Sequence, residues 1–312
     1  MSFSFSFRVP TSVEIGIGCT ICGIKQEKTH LTKEHVVPLS LGGEFVIRNS
    51  TCKPCQNNTS KFERIIARRL FLNHRSAFVL KSRRKNSIPV KVPIDIVMFG
   101  ILIGIPKRIY LDAKDAPILV AVPGWGTAPI LTGVSAKQKD FRSKSISVTK
   151  PDYAKMERIK RRYLAETVYS AVSIVEAEPL AKLVNKVAIC FAKYYFGVRA
   201  KYFGAKLLNS TKNQELFPYF IGSCGSNFFE EENDIRCFSL NVGQKSYIGV
   251  AWKIFPHFFD GGFYCIVGEL IDASDKSVEH VSLSQLQKVG YPVDLKSQML
   301  RTPIQFFSGP TA

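Results

Sequence analysis

Along this chain, apolar positions alternate with polar ones, then fall into helical spacing, then alternate again. The opening MSFSFSFRVP alternates Phe with Ser, which predicts a short strand. Between 94 and 148, IDIVMFGILIGI, RIYL and PILVAVP are rich in β-branched residues and separated by Pro, Gly and Asp, which predicts a sheet. From Asp152 to about Phe203 the period becomes helical. Met156, Ile159, Tyr163, Leu164 and Val168 share one face, and a second amphipathic run goes from Leu180 through Ile189 to Phe196, with Glu178 and Pro179 separating the two helices. After Phe217, CFSLNV, SYIGVAWKIF and FYCIVGEL read as strands, with Asp260, Gly261 and Gly262 as the hairpin turn between the last two. Nearer the start, Phe62, Ile65, Ile66 and Leu70 form the apolar stripe of one further helix. There is no internal repeat, heptad array or low-complexity tract.

A length of 312 residues predicts two domains, and 46% hydrophobic with 22% charged residues excludes wholesale disorder. The net charge of +18 changes the picture, because it attracts polyanions. Residues 1–85 carry 15 Lys or Arg against five Glu and no Asp, which is ten of that +18. The basic segment closes on Lys81, Arg83, Arg84 and Lys85, and Ser87, Pro89 and Pro93 follow. The expected division is therefore 1–82, a linker at 83–93, and 94–312 as a mixed α+β domain of unrecognised fold. The longest apolar run, Ile94 to Ile105, is interrupted by Asp95 and too short to cross a bilayer, so no membrane partner is expected. Without a basic region followed by an apolar core at the start, a cytoplasmic location is expected. No Walker loop or dinucleotide fingerprint occurs.

In a reducing compartment eight cysteines are thiols or metal ligands. Cys19 with Cys22 and Cys52 with Cys55 form two CxxC pairs, 29 residues apart. Four thiolates in two knuckles suit one tetrahedral Zn, whose binding supplies folding energy to a charge-rich module. The interval between them contains TKEHVVPLSLGGEFVIRN. With its flanking knuckles this stretch resembles the zinc-knuckle branch of the HNH endonuclease family. The match runs through CxxC, Glu-His before an apolar pair and Pro, a Leu-Gly-Gly loop, an Asn, and a CxxC opening a helix. It covers roughly residues 15 to 75.

The resemblance implies a zinc-stapled ββα-metal fold in which a hairpin and a helix grip one catalytic Mg or Mn. His35 matches the general base, Glu34 the metal-binding acid, and Asn49 the Asn that pins the intervening loop. Gly42 and Gly43 would turn the loop sharply and let backbone amides approach phosphate. Neighbouring strand residues face opposite sides, so Glu34 and His35 require a strand end or a bulge to converge. In the family His or Asn usually follows the last Cys and completes the metal site, whereas this chain has Gln56, then Asn57 and Asn58. Asn58 keeps the family separation of nine residues from Asn49 and is the expected third ligand, with Gln56 and Asn57 as alternatives. The resemblance favours a helix from about Pro54 to Asn73, against a later start at a Ser60/Glu63 capping box.

On that helix Lys61, Arg64, Arg68 and Arg69 surround the apolar stripe, as a solvated face or as phosphate contacts. Cys190, Cys224, Cys237 and Cys265 read as buried small hydrophobes. His74, His257 and His280 have no recognisable partners in sequence. The acidic run Glu230, Glu231, Glu232 and Asp234 reads as an exposed loop, and FPHFFDGGFY as core rather than a base-stacking surface. The reading is a metal-dependent endonuclease acting on DNA, with a homodimer as one route to cutting both strands. Its alternative is a non-catalytic zinc module that binds nucleic acid.

Overall fold

A run of two strands feeding a helix leaves one apolar face on each element, and in this chain a single later helix covers them. The computed structural model describes residues 12–15, 18–70, 91–98, 106–133, 145–148, 152–203, 208, 219–225, 228–229, 235–253, 261–272, 279–287 and 304–306. Strands β1 (Ser12–Glu14), β2 (Leu31–His35) and β3 (Val46–Cys52) form a sheet in the order β1-β3-β2, with β2 antiparallel and β1 parallel to β3. β3 runs directly into α1 (Lys53–Ile65), with Cys52 as N-cap and Pro54 in the first turn, where a missing N–H costs nothing. This is the early start, not the one at Ser60. A wider helical turn, Ile66–Leu70, follows.

Among the described residues three further sheets follow. β4 (Lys91–Met98), β5 (Lys107–Asp112) and β8 (Ala165–Val168) pair in the order β5-β4-β8. Helix α2 (Tyr153–Tyr163) covers that sheet, and Met156 and Ile159 bury against Val92, Ile94 and Ile96. β6 (Ile118–Gly124), β7 (Ser145–Val148), β9 (Ser170–Ile174) and β15 (Ile304–Phe306) pair as β15-β9-β6-β7. β10 (Ala200–Tyr202), β12 (Ile235–Val242), β13 (Lys245–Trp252) and β14 (Gly261–Leu270) form the antiparallel order β10-β14-β13-β12, and β11 (Ile221–Gly225) also pairs with β14. No helix among the described residues is long and apolar enough to cross a membrane.

Helix α3 (Ala177–Phe196) is the centre of the molecule, and 15 of its 20 residues are buried. A helix apolar on every side needs partners on every side. On one side lie β13 and β14, and on another α1. One buried cluster accordingly joins Cys19, Ile47 and Phe62 to Leu183, Val187 and Ile248. Of the expected linker, 83–90 lie outside the described residues, and Lys91–Pro93 open β4.

Several sequence expectations are corrected. The first helix stops at Tyr163 because Leu164 adopts φ 49 in the left-handed region, and Val168 belongs to β8. Glu178 and Pro179 do not separate two helices: they lie in the first turn of α3, where Pro is tolerated. Gly261 and Gly262 are not turn residues but strand residues paired with Gly225 and Cys224 of β11. The opening Phe/Ser alternation, residues 99–105, His74, His257 and the acidic run lie outside the described residues.

Candidate functional site

Cys19 and Cys22 sit in the turn before β2, and Cys52 and Cys55 straddle the junction of β3 and α1. Their four sulfurs lie within 4.8 Å of one another, and Cys22 Sγ is 3.8 Å from Cys52 Sγ. A tetrahedron with metal–sulfur bonds of about 2.3 Å has sulfur–sulfur edges of about 3.8 Å, so this set fits one Zn. The amides of Cys22 and Cys52 donate to Cys19 Sγ at 3.5 and 3.4 Å. A hydrogen bond from Cys55, reinforced by those amides, holds the Cys19 thiol well below its ordinary range, with burial opposing. Burial pushes the Cys22 thiol up. Thr20 anchors the turn: its amide and hydroxyl donate to Ser50 O at 2.6 and 3.0 Å.

Glu34 and His35 are the last two residues of β2. Glu34 is buried, 6% exposed, while His35 is half-buried. Between the pairs Thr32↔Thr51 and Glu34↔Ile47, β2 advances two residues and β3 four, so the irregularity lies on β3. Asn49 sits within it at φ 46. Asn tolerates that left-handed conformation better than most L-residues, which gives it a shaping role in the strand. The nearby Glu14 carboxyl is lowered chiefly by the hydrogen bond and charge of Lys28, with a smaller contribution from the Asn49 side chain.

The loop after His35 is turned by Pro38 and a short helical turn capped by Gly42 at φ 89. The glycine amides bond within the loop: Gly42 N–H donates to Leu39 O at 3.1 Å and Gly43 N–H to Pro38 O at 3.2 Å. A side chain on Gly43 would stand 2.0 Å from Val37 O, so glycine is required there by close backbone approach. On α1, Cys55, Thr59 and Phe62 face inward. Asn58, one turn beyond Cys55, is half-buried, and Asn57 is exposed. Gln56 Oε1 accepts from Lys53 Nζ at 3.3 Å. Lys61, Arg64 and Arg68 are exposed, and the side chain of Arg69 lies outside the described residues.

The sequence reading missed two residues of α3. Lys186 is 0% exposed, and its ammonium lies 2.6 Å from Glu34 Oε1 and 3.1 Å from Glu63 Oε1 of α1. It also donates to the carbonyls of His35 and, at 3.0 Å, Val36. Burial, the largest single influence, pushes Lys186 down, but the two carboxylates outweigh it and the net shift is upward. Two turns on, buried Lys193 donates to Cys19 O at 3.4 Å, and burial lowers it. Residues seven apart share a helix face, so one face of α3 addresses both the strand end and the cysteine turn. The signal in sequence was Lys186 and Lys193 within a largely apolar helical run that also holds Lys182 and Asn185, and their partners lie 150 and 174 residues away.

Cys190, on α3 between Lys186 and Lys193, and Cys224, Cys237 and Cys265 elsewhere are buried thiols, as expected, and His280 Nδ1 lies 2.7 Å from Ser239 Oγ. Comparison with curated proteins and with solved structures gives no match. The family model described as HNH endonuclease matches residues 19–70, which contain the four-cysteine cluster, Glu34, His35, Asn49 and α1. Residues 19–70 therefore belong to the HNH endonuclease family, which implies a nuclease that acts on nucleic acid.

Proposed function

We infer that the chain is a metal-dependent endonuclease that hydrolyses DNA phosphodiester bonds, with His35 as general base. The observation that carries this reading is the combination within residues 19–70 of a zinc-competent cysteine set and a half-buried histidine ending β2. A neutral imidazole, with an ordinary pKa near 6.5, takes a proton from water as it attacks phosphorus. Glu34 and Asn58 would hold Mg or Mn, a hard ion suited to carboxylate and amide oxygens, which stabilises charge on the phosphate and the leaving 3′ oxygen. Exposed Lys61, Arg64 and Arg68 would neutralise phosphates along the bound strand. Cutting both strands takes a homodimer or two encounters.

Two observations favour the alternative of a non-catalytic zinc module that binds nucleic acid. Glu34 is buried with an oxygen on Lys186, and Gln56 stands where the family usually has His or Asn. Both readings give DNA binding that weakens with salt. Nicking of a supercoiled plasmid, with and without EDTA, separates them: nicking that EDTA abolishes supports the nuclease, and none with Mg or Mn supports the binding module. His35→Ala is expected to slow cleavage by about 10² to 10⁴ while leaving affinity nearly unchanged, because a general base acts in the chemical step. Undiminished cleavage by that variant overturns the assignment.

A further inference from the structure

The three N–H donors of the Lys186 ammonium serve the Glu34 carboxylate at the end of β2 and the carbonyls of His35 and Val36, and Glu63 on α1 adds an ion pair at 3.1 Å. The arrangement is directional. Lys186 comes from the core side, wholly shielded from solvent, and grips the peptide that carries the His35 side chain from behind. Glu34 uses Oε1 for the ammonium at 2.6 Å. With Oε1 held by the ammonium, Oε2 is the oxygen that Glu34 would offer a divalent ion, which favours carboxylate ligands.

We propose that Lys186 is a positioning residue for the nuclease site: it fixes the main chain from which the His35 imidazole projects, and it presents Glu34 to a divalent ion through one oxygen. This rests on the nuclease reading above. It also gives the C-terminal half a part in that site, since Lys186 lies beyond every residue the family model covers. Balancing buried charge is the competing role, and an arginine at this position separates the two. Arg keeps the charge but has a planar, broader head that cannot reproduce the ammonium's contacts.

The test compares the full chain as wild type, as Lys186→Arg and as Lys186→Met/Glu63→Gln, with rates expressed per zinc-loaded molecule. Four quantities are read: single-turnover cleavage at saturating Mn, the Mn concentration for half-maximal rate, DNA affinity, and the ¹³C-labelled imidazole signal of His35. Misplacing a reacting group by about 1 Å costs on the order of 10²-fold in rate. The expected result for Lys186→Arg is affinity within about twofold of wild type, cleavage slower by that order, a higher Mn requirement, and a His35 signal that broadens or doubles. The double variant should behave in the same way.

Wild-type cleavage by Lys186→Arg with an unchanged His35 signal overturns the proposal in favour of charge balance. Failure of both variants to hold zinc also overturns it, making Lys186 a staple of the fold. If the wild type cuts no DNA with any divalent ion, the nuclease reading has failed. The His35 signal in Lys186→Arg then decides alone whether Lys186 fixes that residue.

Discussion

Asn49 is held at φ 46 where β3 has more residues than β2 opposite it, and the strand's geometry there depends on a conformation that β-branched side chains avoid. Asn49→Val is expected to destabilise the chain by about 1–2 kcal/mol and Asn49→Gly by less, read as shifts in a denaturant midpoint. Equal effects of the two would assign the cost to the lost Asn49 side chain rather than to the backbone conformation. The third metal ligand is a question at the same scale. Asn58 lies three residues, roughly 300°, on from Cys55, whose side chain is buried at the cysteine cluster. Gln56 is longer, loses more rotamer freedom on ligation, and already accepts from Lys53. Mn titration of Asn58→Ala, Asn57→Ala and Gln56→Ala is therefore expected to show the largest rise in required metal for Asn58→Ala. A wild-type titration for Asn58→Ala beside a large rise for Gln56→Ala would hand the site to the family position directly after the last Cys.

At the scale of elements, four sulfurs and the hydrogen bonds around Thr20 join the cysteine turn to the end of β3 and the start of α1. Removing one ligand leaves three thiols that cannot close a tetrahedron, so Cys22→Ser should lose zinc and with it the order of residues 19–65. Zinc content and amide-exchange protection check this; retained protection without zinc would show that packing on α3 suffices. The features legible in sequence were those encoded by short spacing, namely the two CxxC pairs, the EHVVP stretch and the start of α1 at Pro54. The end of α2 was not legible. Leu164 is a good helix former, yet it takes the left-handed turn, 71% exposed, that releases Ala165 into β8. Gly261 and Gly262 misled for the opposite reason. A Gly-Gly pair signals a turn, but Gly262 lies in a strand where a side chain would stand 2.6 Å from the ring of Phe229 and from Trp252 O.

For the molecule as a whole, charge and apolar patterning suggested a basic N-terminal unit separate from the rest, since neither property reveals which surfaces meet. The buried cluster runs from Cys19, Ile21 and Phe62 through α3 to Trp252 and Cys265, and Phe45 of the family segment packs edge-on against Phe191 and Tyr194 of α3. Breaking a buried ion pair by removing one partner typically costs about 3–5 kcal/mol, and detaching α3 would leave Glu34 and Glu63 without Lys186 as well as exposing that apolar face. The family segment and the C-terminal half should therefore unfold together. The chain has two tryptophans, Trp125 and Trp252, both buried in this cluster and both beyond residue 70. Their fluorescence reports the C-terminal half, while a colorimetric chelator reports zinc release from the N-terminal one. With rising denaturant the two signals are expected to change in one coincident transition. A fragment ending at residue 90 is expected to show no cooperative transition of its own. Zinc release at a denaturant concentration well separated from the tryptophan change, or a cooperative fold in the fragment, would mean that residues 1–82 stand as an independent unit whose folding does not require the apolar face of α3.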